Sequence, residues 1–454
     1  MRNTDSPETI TSKSSATQGH ARRAVSDGLR DISALVPRVR NPRTHSKKQI
    51  AQIAESIRRF GFLSPVLVDA ESHIIAGHGR VEGAKLAGLT QVPVMRVDHL
   101  SDAEIRAYVI ADNKLAENAG WDLELLTLEL QELALEVDLD LTVMGFETAE
   151  IDVLLAPAAE PESETSLPPI DRAQAAVSRS GDLWQVGRHR VLCGSALDAD
   201  AYALLLGKER ARCVFMDPPY NVPIDGHVSG KGQHRHPEFV MASGEMSSTD
   251  FTHFLRVAFD YATAFSLDGS LHFICMDWRH MSEVLEAGRS AYTELKNLCV
   301  WTKTNAGMGS LYRSQHELVF LYKHGLVPHV NNVELGRHGR NRTNVWSYAG
   351  MNAFGRDRDA DLAAHPTVKP VAMVSDAILD TSQRGDIVLD PFLGSGTTIL
   401  AAEQTGRVGM GLELDPYYVD LIVQRLSAAC GLTATLLETG ESFAEVVARR
   451  QHQA

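Results

Sequence analysis

A chain of 454 residues has room for two or more domains with cores of their own. Its net charge of −14 argues against a uniformly basic protein. However, residues 98–171 hold nineteen acids against two bases, Arg106 and Lys114, so the remainder sums to +3 and global charge excludes little. No apolar run is long enough to cross a bilayer, so no membrane partner is expected.

In chain order, MRNTDSPETITSKSSATQGH is polar and lacks the apolar core of a secretory signal, so residues 1–30 are expected to form a disordered tail. Residues 31–100 read as a small α+β unit. KKQIAQIAESIRRFGF has helical spacing, with Ile50, Ile53 and Ile57 on one face and Gly61 past the end. The strands PVLVD and HIIAG follow, then a helix from about Arg80 to Leu86, then the strand VPVMRV. Residues 101–155 read as acidic helices. Residues 156–180 are rich in proline, alanine and acids and read as a linker, which predicts that residues 1–170 are dispensable for catalysis. From Gly181 to Gly431 strands and helices alternate, and residues 432–454 are taken as a C-terminal tail. Five scattered cysteines suit reduced thiols in a cytoplasmic protein.

Two stretches carry chemistry. In MDPPYN, the prolines after the apolar run Cys213–Met216 force a turn at a strand end, because each fixes φ and lacks a backbone donor. The turn brings a carboxylate, Asp217, a rigid backbone with the Pro218 carbonyl, and the aromatic face of Tyr220 to one place. An amino group conjugated to a base is a poor nucleophile. Two acceptors on its N–H bonds favour the tetrahedral geometry it needs to accept a methyl group, and an aromatic face can stack an extruded base. The second stretch is GDIVLDPFLGSGTTILAAEQTGRVGMGLELDPYY. It reads as a strand ending at Asp390, a tight turn at Gly394-Ser395-Gly396, a helix capped by Thr397 or Thr398 and ended by Gly406, then a strand with Glu413 at its carboxyl end. An acid there can hold ribose hydroxyls. Ile399 stands where a dinucleotide fingerprint wants a third glycine, and no lysine follows the turn, so a nucleoside cofactor without phosphates fits better.

Together these motifs resemble the DNA amino-methyltransferases, which methylate adenine N6 or cytosine N4. Asp217-Pro218-Pro219-Tyr220 matches the catalytic motif, and Asp390-Pro391-Phe392-Leu393-Gly394-Ser395-Gly396-Thr397 matches the cofactor motif. His365-Pro366-Thr367-Val368-Lys369-Pro370 matches the segment opening the helix beside the cofactor, and Gly411-Leu412-Glu413 matches the acidic strand end. The catalytic motif comes first, as in the family's beta group. The resemblance implies a Rossmann-like α/β sheet that binds S-adenosylmethionine through Asp390, Phe392, Gly394, Gly396, Thr397 and Glu413, with Thr367 and Lys369 nearby. Asp217, Pro218, Pro219 and Tyr220 would handle the base. Asp at the head of the motif favours adenine.

Two inserts are expected to meet DNA. VPIDGHVSGKGQHRHPE offers Lys231 and Arg235 after the catalytic turn. Its His227, His234 and His236 lack a cysteine or acid at familiar metal spacing, so no metal is expected. NNVELGRHGRNRTNVWSYAG offers Arg337, Arg340 and Arg342 where the beta group holds its target-recognition region.

Around Gly77-His78-Gly79-Arg80, residues 31–100 resemble the ParB/sulfiredoxin-like domain. The sulfiredoxin cysteine is missing. Only Gly77 and Arg80 carry over from the ParB nucleotide motif, which leaves nucleotide binding there doubtful. The acidity of residues 101–155 fits a spacer or protein-docking role better than a path along phosphates. The sequence thus predicts a small ParB-like α+β domain followed by a site-specific, adenine-directed DNA methyltransferase of the restriction–modification type. Cytosine N4 methylation and an inert DNA-binding adaptor are the alternatives. Double-stranded DNA and a second copy of the chain are the candidate partners.

Overall fold

The structure of the protein, a computed structural model, describes residues 25–134, 139–156, 170, 172, 174–222, 244–304, 311–336, 340–349 and 368–451. The chain divides into two compact units, residues 1–147 and 148–454. Among the described residues no helix is long and apolar enough to cross a membrane.

In the first unit, β1 (Val25–Asp31), β2 (Val66–Val68), β3 (Ile74–Ala76) and β4 (Gln91–Arg96) form one sheet in the order β1-β4-β2-β3. Helix α1 (Lys47–Phe60) starts where the Ser46 hydroxyl accepts the Gln49 N–H at 3.1 Å, and it stops at Gly61, whose φ is +82°. With α2 (His78–Leu86) it covers a core of Ile32, Leu35, Ile57, Val66, Val68, Ile74, Val81, Val92 and Val94. The Arg80 guanidinium donates to the Ser64 hydroxyl at 2.7 Å. Helix α3 (Asp102–Glu117) opens with a capping box between Ser101 and Glu104, and it packs Ile105 and Val109 against Ile75 and Val97. The expected bounds of 31–100 are therefore short at both ends. β1 begins at Val25, and the apolar stripe of α3 adds the start of the acidic segment to this unit. Helix α4 (Leu123–Leu133) follows.

The second unit begins with α5 (Thr148–Leu155) and continues with β5 (Leu183–Val186), β6 (His189–Cys193), α6 (Ala199–Leu206), β7 (Ala211–Met216), α7 (Ser248–Ala264) and β8 (Ser266–Met276). Next come α8 (Met281–Ala291), β9 (Glu294–Thr302), β10 (His316–Lys323), β11 (Val345–Ser347), α9 (Val371–Thr381), β12 (Ile387–Asp390) and α10 (Thr397–Gln404). The unit closes with β13 (Val408–Glu413), α11 (Pro416–Cys430), β14 (Ala434–Leu436) and α12 (Phe443–Gln451). Ten strands make one sheet in the order β11-β9-β10-β8-β7-β12-β13-β6-β5-β14. The middle five, β8 to β6, are parallel, and β10 lies antiparallel between β8 and β9. The expected strands LHFICM, LCVWTK and ELVFLYK are β8, β9 and β10.

β7 and β12 are neighbours, with Val388 beside Cys213 and Leu389 beside Val214. From β7 the chain crosses to β8 on one side, and from β12 it crosses to β13 on the other. It is beyond the carboxyl ends of strands that diverge in this way that α/β sheets take their ligands.

Two expected boundaries are corrected here. Helix α5 belongs to the second unit. Asp152, 1% exposed, makes a two-armed ion pair with the fully buried Arg407 at 2.9 and 2.8 Å, and Arg384 adds a third contact at 3.2 Å. The end of the linker is also tied down, because the backbone N–H groups of Val177 and Ser178 donate to Asp420 at 2.6 and 2.9 Å. Residues 432–454 are not simply a tail. β14 pairs with β5, the Phe443 ring lies 5.3 Å from the Trp184 ring, and Val446 is buried.

Candidate active site

Met216 ends β7 in the core, and the prolines then turn the chain at Asp217. Asp217 Oδ2 accepts from the Lys369 ammonium at 2.6 Å, and Oδ1 accepts from the Tyr220 hydroxyl at 2.8 Å. Glu317, the second residue of β10, joins them. Its Oε2 lies 3.2 Å from Lys369 Nζ and 3.0 Å from Tyr220 Oη, while its Oε1 takes the ammonium of Lys303. The Tyr220 oxygen in turn lies 3.1 Å from Lys369 Nζ. Lys369 thus has two hydrogen-bond acceptors, Asp217 and Tyr220, and a second carboxylate, Glu317, as an ion-pair partner. The buried Trp301 ring lies 4.7 Å from Lys303 Nζ and 5.9 Å from Lys369 Nζ.

These contacts set the charges. Burial would neutralise Lys369, but Asp217 and Glu317 outweigh it and hold the ammonium protonated. Burial would raise Glu317, but Lys369 and Lys303 hold it down to about 2. Burial pushes the Asp217 carboxyl up, Lys369 pulls it back, and Glu317 adds to the rise. Burial and the two carboxylates keep Tyr220 a neutral donor. Each Asp217 oxygen has one donor in place and a lone pair left, so the turn can accept a further N–H.

Asn221 closes the turn. Its φ of +51° lies in the left-handed region, which asparagine tolerates better than most residues. Its side chain accepts from the backbone N–H of Gly244 at 3.1 Å and of Met246 at 3.2 Å, and it donates to the Met246 carbonyl at 2.9 Å. It thereby ties the catalytic turn to the chain segment that leads into α7.

On the neighbouring strand, Asp390 accepts the Phe392 N–H at 2.9 Å and the Thr398 hydroxyl at 2.6 Å. The expected threonine cap is therefore replaced. Gly396 caps α10 with φ +81°, and Thr398 turns back to Asp390. A side chain at Gly396 would put Cβ 2.9 Å from Ile422 as well as straining the backbone. Glu413 ends β13 and accepts the Gly394 N–H at 2.8 Å and the Asp415 N–H at 2.8 Å. It spans the loop after β12 and the loop after β13, with lone pairs left for hydroxyl donors. Burial raises Asp390 and Glu413 to about 7 each, against the hydrogen bonds that favour their ionised forms. Thr397 is buried, 3.2 Å from Arg425. No lysine or arginine stands between Asp390 and Thr398, so the loop suits the hydroxyls of a nucleoside better than phosphates.

The expected site residues divide as follows. Asp217, Pro218, Pro219 and Tyr220 lie at the end of β7. Asp390, Phe392, Gly394, Gly396, Thr397 and Glu413 lie at the ends of β12 and β13, on the same edge of the sheet. Lys369, expected near the cofactor loop, donates to Asp217 and Tyr220 at the end of β7 and pairs with Glu317. Arg340 and Arg342, expected to meet DNA, are engaged in internal ion pairs. Arg340 meets Asp380 at 2.7 Å and Asp376 at 3.1 Å, and Arg342 meets Asp376 at 2.8 Å and Asp380 at 3.2 Å. Thr367, Lys231, Arg235 and Arg337 lie outside the described residues, as do His227, His234 and His236. Glu317, Lys303 and Trp301 went unnoticed in the sequence. Among the described residues, one group of histidine and acids is close enough to share a metal ion: Asp69, Glu71 and His73. There Asp69 accepts the backbone N–H of Glu71 and His73 in the β2–β3 turn.

The DNA methylase family profile matches residues 211–424, which span the two strand ends described above. The ParB N-terminal domain profile matches residues 18–114, and a profile described as the ParB-methyltransferase HTH domain matches residues 124–180. A ParB-like nuclease domain-containing protein, YnaK of Escherichia coli, is 45% identical over 75 residues, 16% of this chain and 86% of that protein. The type II methyltransferase M.ScaI of Streptomyces caespitosus is 38% identical over 90 residues, 20% of this chain and 30% of that protein. The chain therefore spans under a third of that methyltransferase. Among solved structures, the PvuII DNA methyltransferase, cytosine-N4-specific, aligns with a TM-score of 0.40 at 15% identity, covering 57% of this chain and 89% of that one. The matched methylase family uses S-adenosylmethionine as its methyl donor, a nucleoside that the phosphate-free, acid-lined loops at Asp390 and Glu413 fit. Residues 211–424 belong to the N6/N4 DNA methylase family, and a ParB-type N-terminal domain precedes them in the chain.

Proposed function

We propose that this protein is a site-specific DNA methyltransferase that moves a methyl group from S-adenosylmethionine to N6 of an adenine drawn out of double-stranded DNA. One observation carries the proposal: Asp217 and Asp390 leave adjacent parallel strands at the sheet's divergence point, with Glu413 one strand further. A base-handling turn and a nucleoside-holding loop thus open on one crevice.

When bound, S-adenosylmethionine supplies a methyl group already activated on a sulfonium. The chain's own residues do the rest by positioning. Glu413 would hold the ribose hydroxyls, and Asp390 would keep the glycine loop in shape through Thr398 and Phe392. Asp217 would accept one N–H of the target amino group, the Pro218 carbonyl would accept the other, and Tyr220 would offer its ring to the base. The aspartate heading the DPPY turn favours adenine, and cytosine N4 is the alternative. An inert adaptor is disfavoured by the intact Asp217 and Glu413. A cytoplasmic setting is part of the proposal, as is a spacer or docking role for the acidic helices. The test is transfer of labelled methyl from S-adenosylmethionine to mixed-sequence DNA. Incorporation by the wild type and none by Asp217→Ala supports the proposal. Equal incorporation by both contradicts it.

A further inference from the structure

We propose that Glu317 is a positioning residue for base handling: it anchors Lys369 and the Tyr220 hydroxyl beside Asp217, so that the carboxylate and the aromatic ring meet the target base in one fixed arrangement. This rests on the reading of the crevice as an amino-methyltransferase site. Glu317 lies on β10, three strands from β12, and belongs to neither the catalytic turn nor the cofactor loop.

The geometry is closed. Tyr220 has one hydroxyl proton and two carboxylate acceptors, Asp217 Oδ1 at 2.8 Å and Glu317 Oε2 at 3.0 Å. Lys369 donates to that same hydroxyl oxygen and to Asp217, and it forms an ion pair with Glu317 at 3.2 Å. Lys303 holds the far oxygen of Glu317 and so fixes its rotamer. The side chains of Asp217, Glu317 and Lys369 are 19%, 13% and 6% exposed, so water cannot easily replace any member. Without Glu317, Lys369 would have Asp217 as its one carboxylate partner. The ammonium would draw on the lone pairs that the base needs, and the tyrosine hydroxyl would lose its second acceptor. Two carboxylates against Lys369 and Lys303 leave the cluster balanced, and Asp217 remains an acceptor rather than one half of a tight ion pair.

The groups facing Asp217 come from every element around it. Tyr220 comes from its own turn, Lys369 from the segment before α9, Glu317 from β10, Lys303 from the end of β9 by way of Glu317, Cys275 from β8, and Asp390 from β12. Glu317 raises the Asp217 carboxyl, whereas Lys369 and the Tyr220 hydroxyl lower it. The variants should therefore move the acidic limb of the rate profile in opposite directions.

The experiment measures kcat, KM for DNA and the pH profile of methyl transfer for the full-length wild type, Glu317→Gln, Lys369→Met and Tyr220→Phe, with calorimetry of S-adenosylmethionine binding as the check on folding. Glu317→Gln should lose about a hundredfold in kcat, comparable to removing one preorganised polar group from an active site. It should keep its cofactor affinity within about threefold, as expected for a group on the base side. Its acidic limb should move to lower pH, and those of Lys369→Met and Tyr220→Phe to higher pH. A Glu317→Gln rate near that of the wild type overturns the proposal, as does a fall in rate with the limb unmoved. If Glu317→Gln cannot bind cofactor, Tyr220→Phe decides: a limb moved to higher pH supports the network, and an unmoved limb overturns it. A wild type that transfers no methyl overturns the underlying reading of the crevice, and the role of Glu317 with it.

Discussion

Replacing Asp152 with alanine should destabilise the catalytic unit, although Asp152 precedes the proline-rich stretch that separates it in sequence from the rest of that unit. The Arg407 side chain is fully buried and places its guanidinium on Asp152, the Thr405 carbonyl, the Ser382 carbonyl and the Ser382 hydroxyl. Asp152→Ala leaves that cation with hydrogen bonds but no full counter-charge. Breaking a buried pair from one side costs about 3–5 kcal/mol. For a domain of this size that is roughly 10 °C in midpoint. A chain beginning at residue 171 loses α5 altogether, including the fully buried Ile151, for about 1.5–3 kcal/mol more. A chain beginning at residue 148 keeps both. Calorimetry and urea titration of full-length wild type and Asp152→Ala, alongside the 148–454 and 171–454 forms, give the comparison. Asp152→Leu combined with Arg407→Met should recover most of the loss, since an apolar pair of similar volume has no charge to strand. Midpoints of 148–454 and 171–454 that agree within about 2 °C would refute the reasoning.

Three more expectations concern the site and its surroundings. Asp217→Ala should bind S-adenosylmethionine with near wild-type affinity while transferring no methyl, because Asp217 sits on the base side; loss of both together in calorimetry and transfer assays would count against that division. Arg342→Ala should lower stability by roughly 1–3 kcal/mol, because Asp376 and Asp380 lose one of their two arginine partners and keep Arg340. It should also leave the salt dependence of DNA binding unchanged, whereas a lost phosphate contact would cut the slope by about one. Cofactor affinity should strengthen as pH rises through about 7, where Asp390 and Glu413 give up their protons, since ionised oxygens accept from hydroxyls more strongly. Titration calorimetry from acid to neutral pH would reveal it, and a flat profile in that range would argue against a ribose contact by Glu413.

Much of the site was legible because it is written in continuous motifs. The DPPY turn and the Gly394–Gly396 loop each carry their geometry locally, through fixed φ at proline and left-handed φ at glycine. Glu317 was not legible, because its place depends on β10 lying antiparallel between β8 and β9, which puts Glu317 opposite Trp301. That pairing is a tertiary outcome. The ion pairs of the arginine-rich insert were not legible for a related reason. Exposure of Arg340 and Arg342 was inferred from loop composition, but Asp376 and Asp380 stand one turn apart on α9 and capture both. Helix α5 was misassigned because charge and proline content describe the chain as a string. Its burial instead follows from one aspartate meeting an arginine 255 residues away. Helix α5 and all but the first residue of α4 fall within the match to an HTH domain profile, which the acidity of the segment concealed.

The central claim is that Asp217 prepares an adenine amino group for methylation. Mixed-sequence DNA incubated with the protein and S-adenosylmethionine, digested to nucleosides and read by mass spectrometry, tests it most directly. The expected product is N6-methyladenine, absent when Asp217 is alanine. N4-methylcytosine as the sole product, or no methylated nucleoside at all, would contradict it.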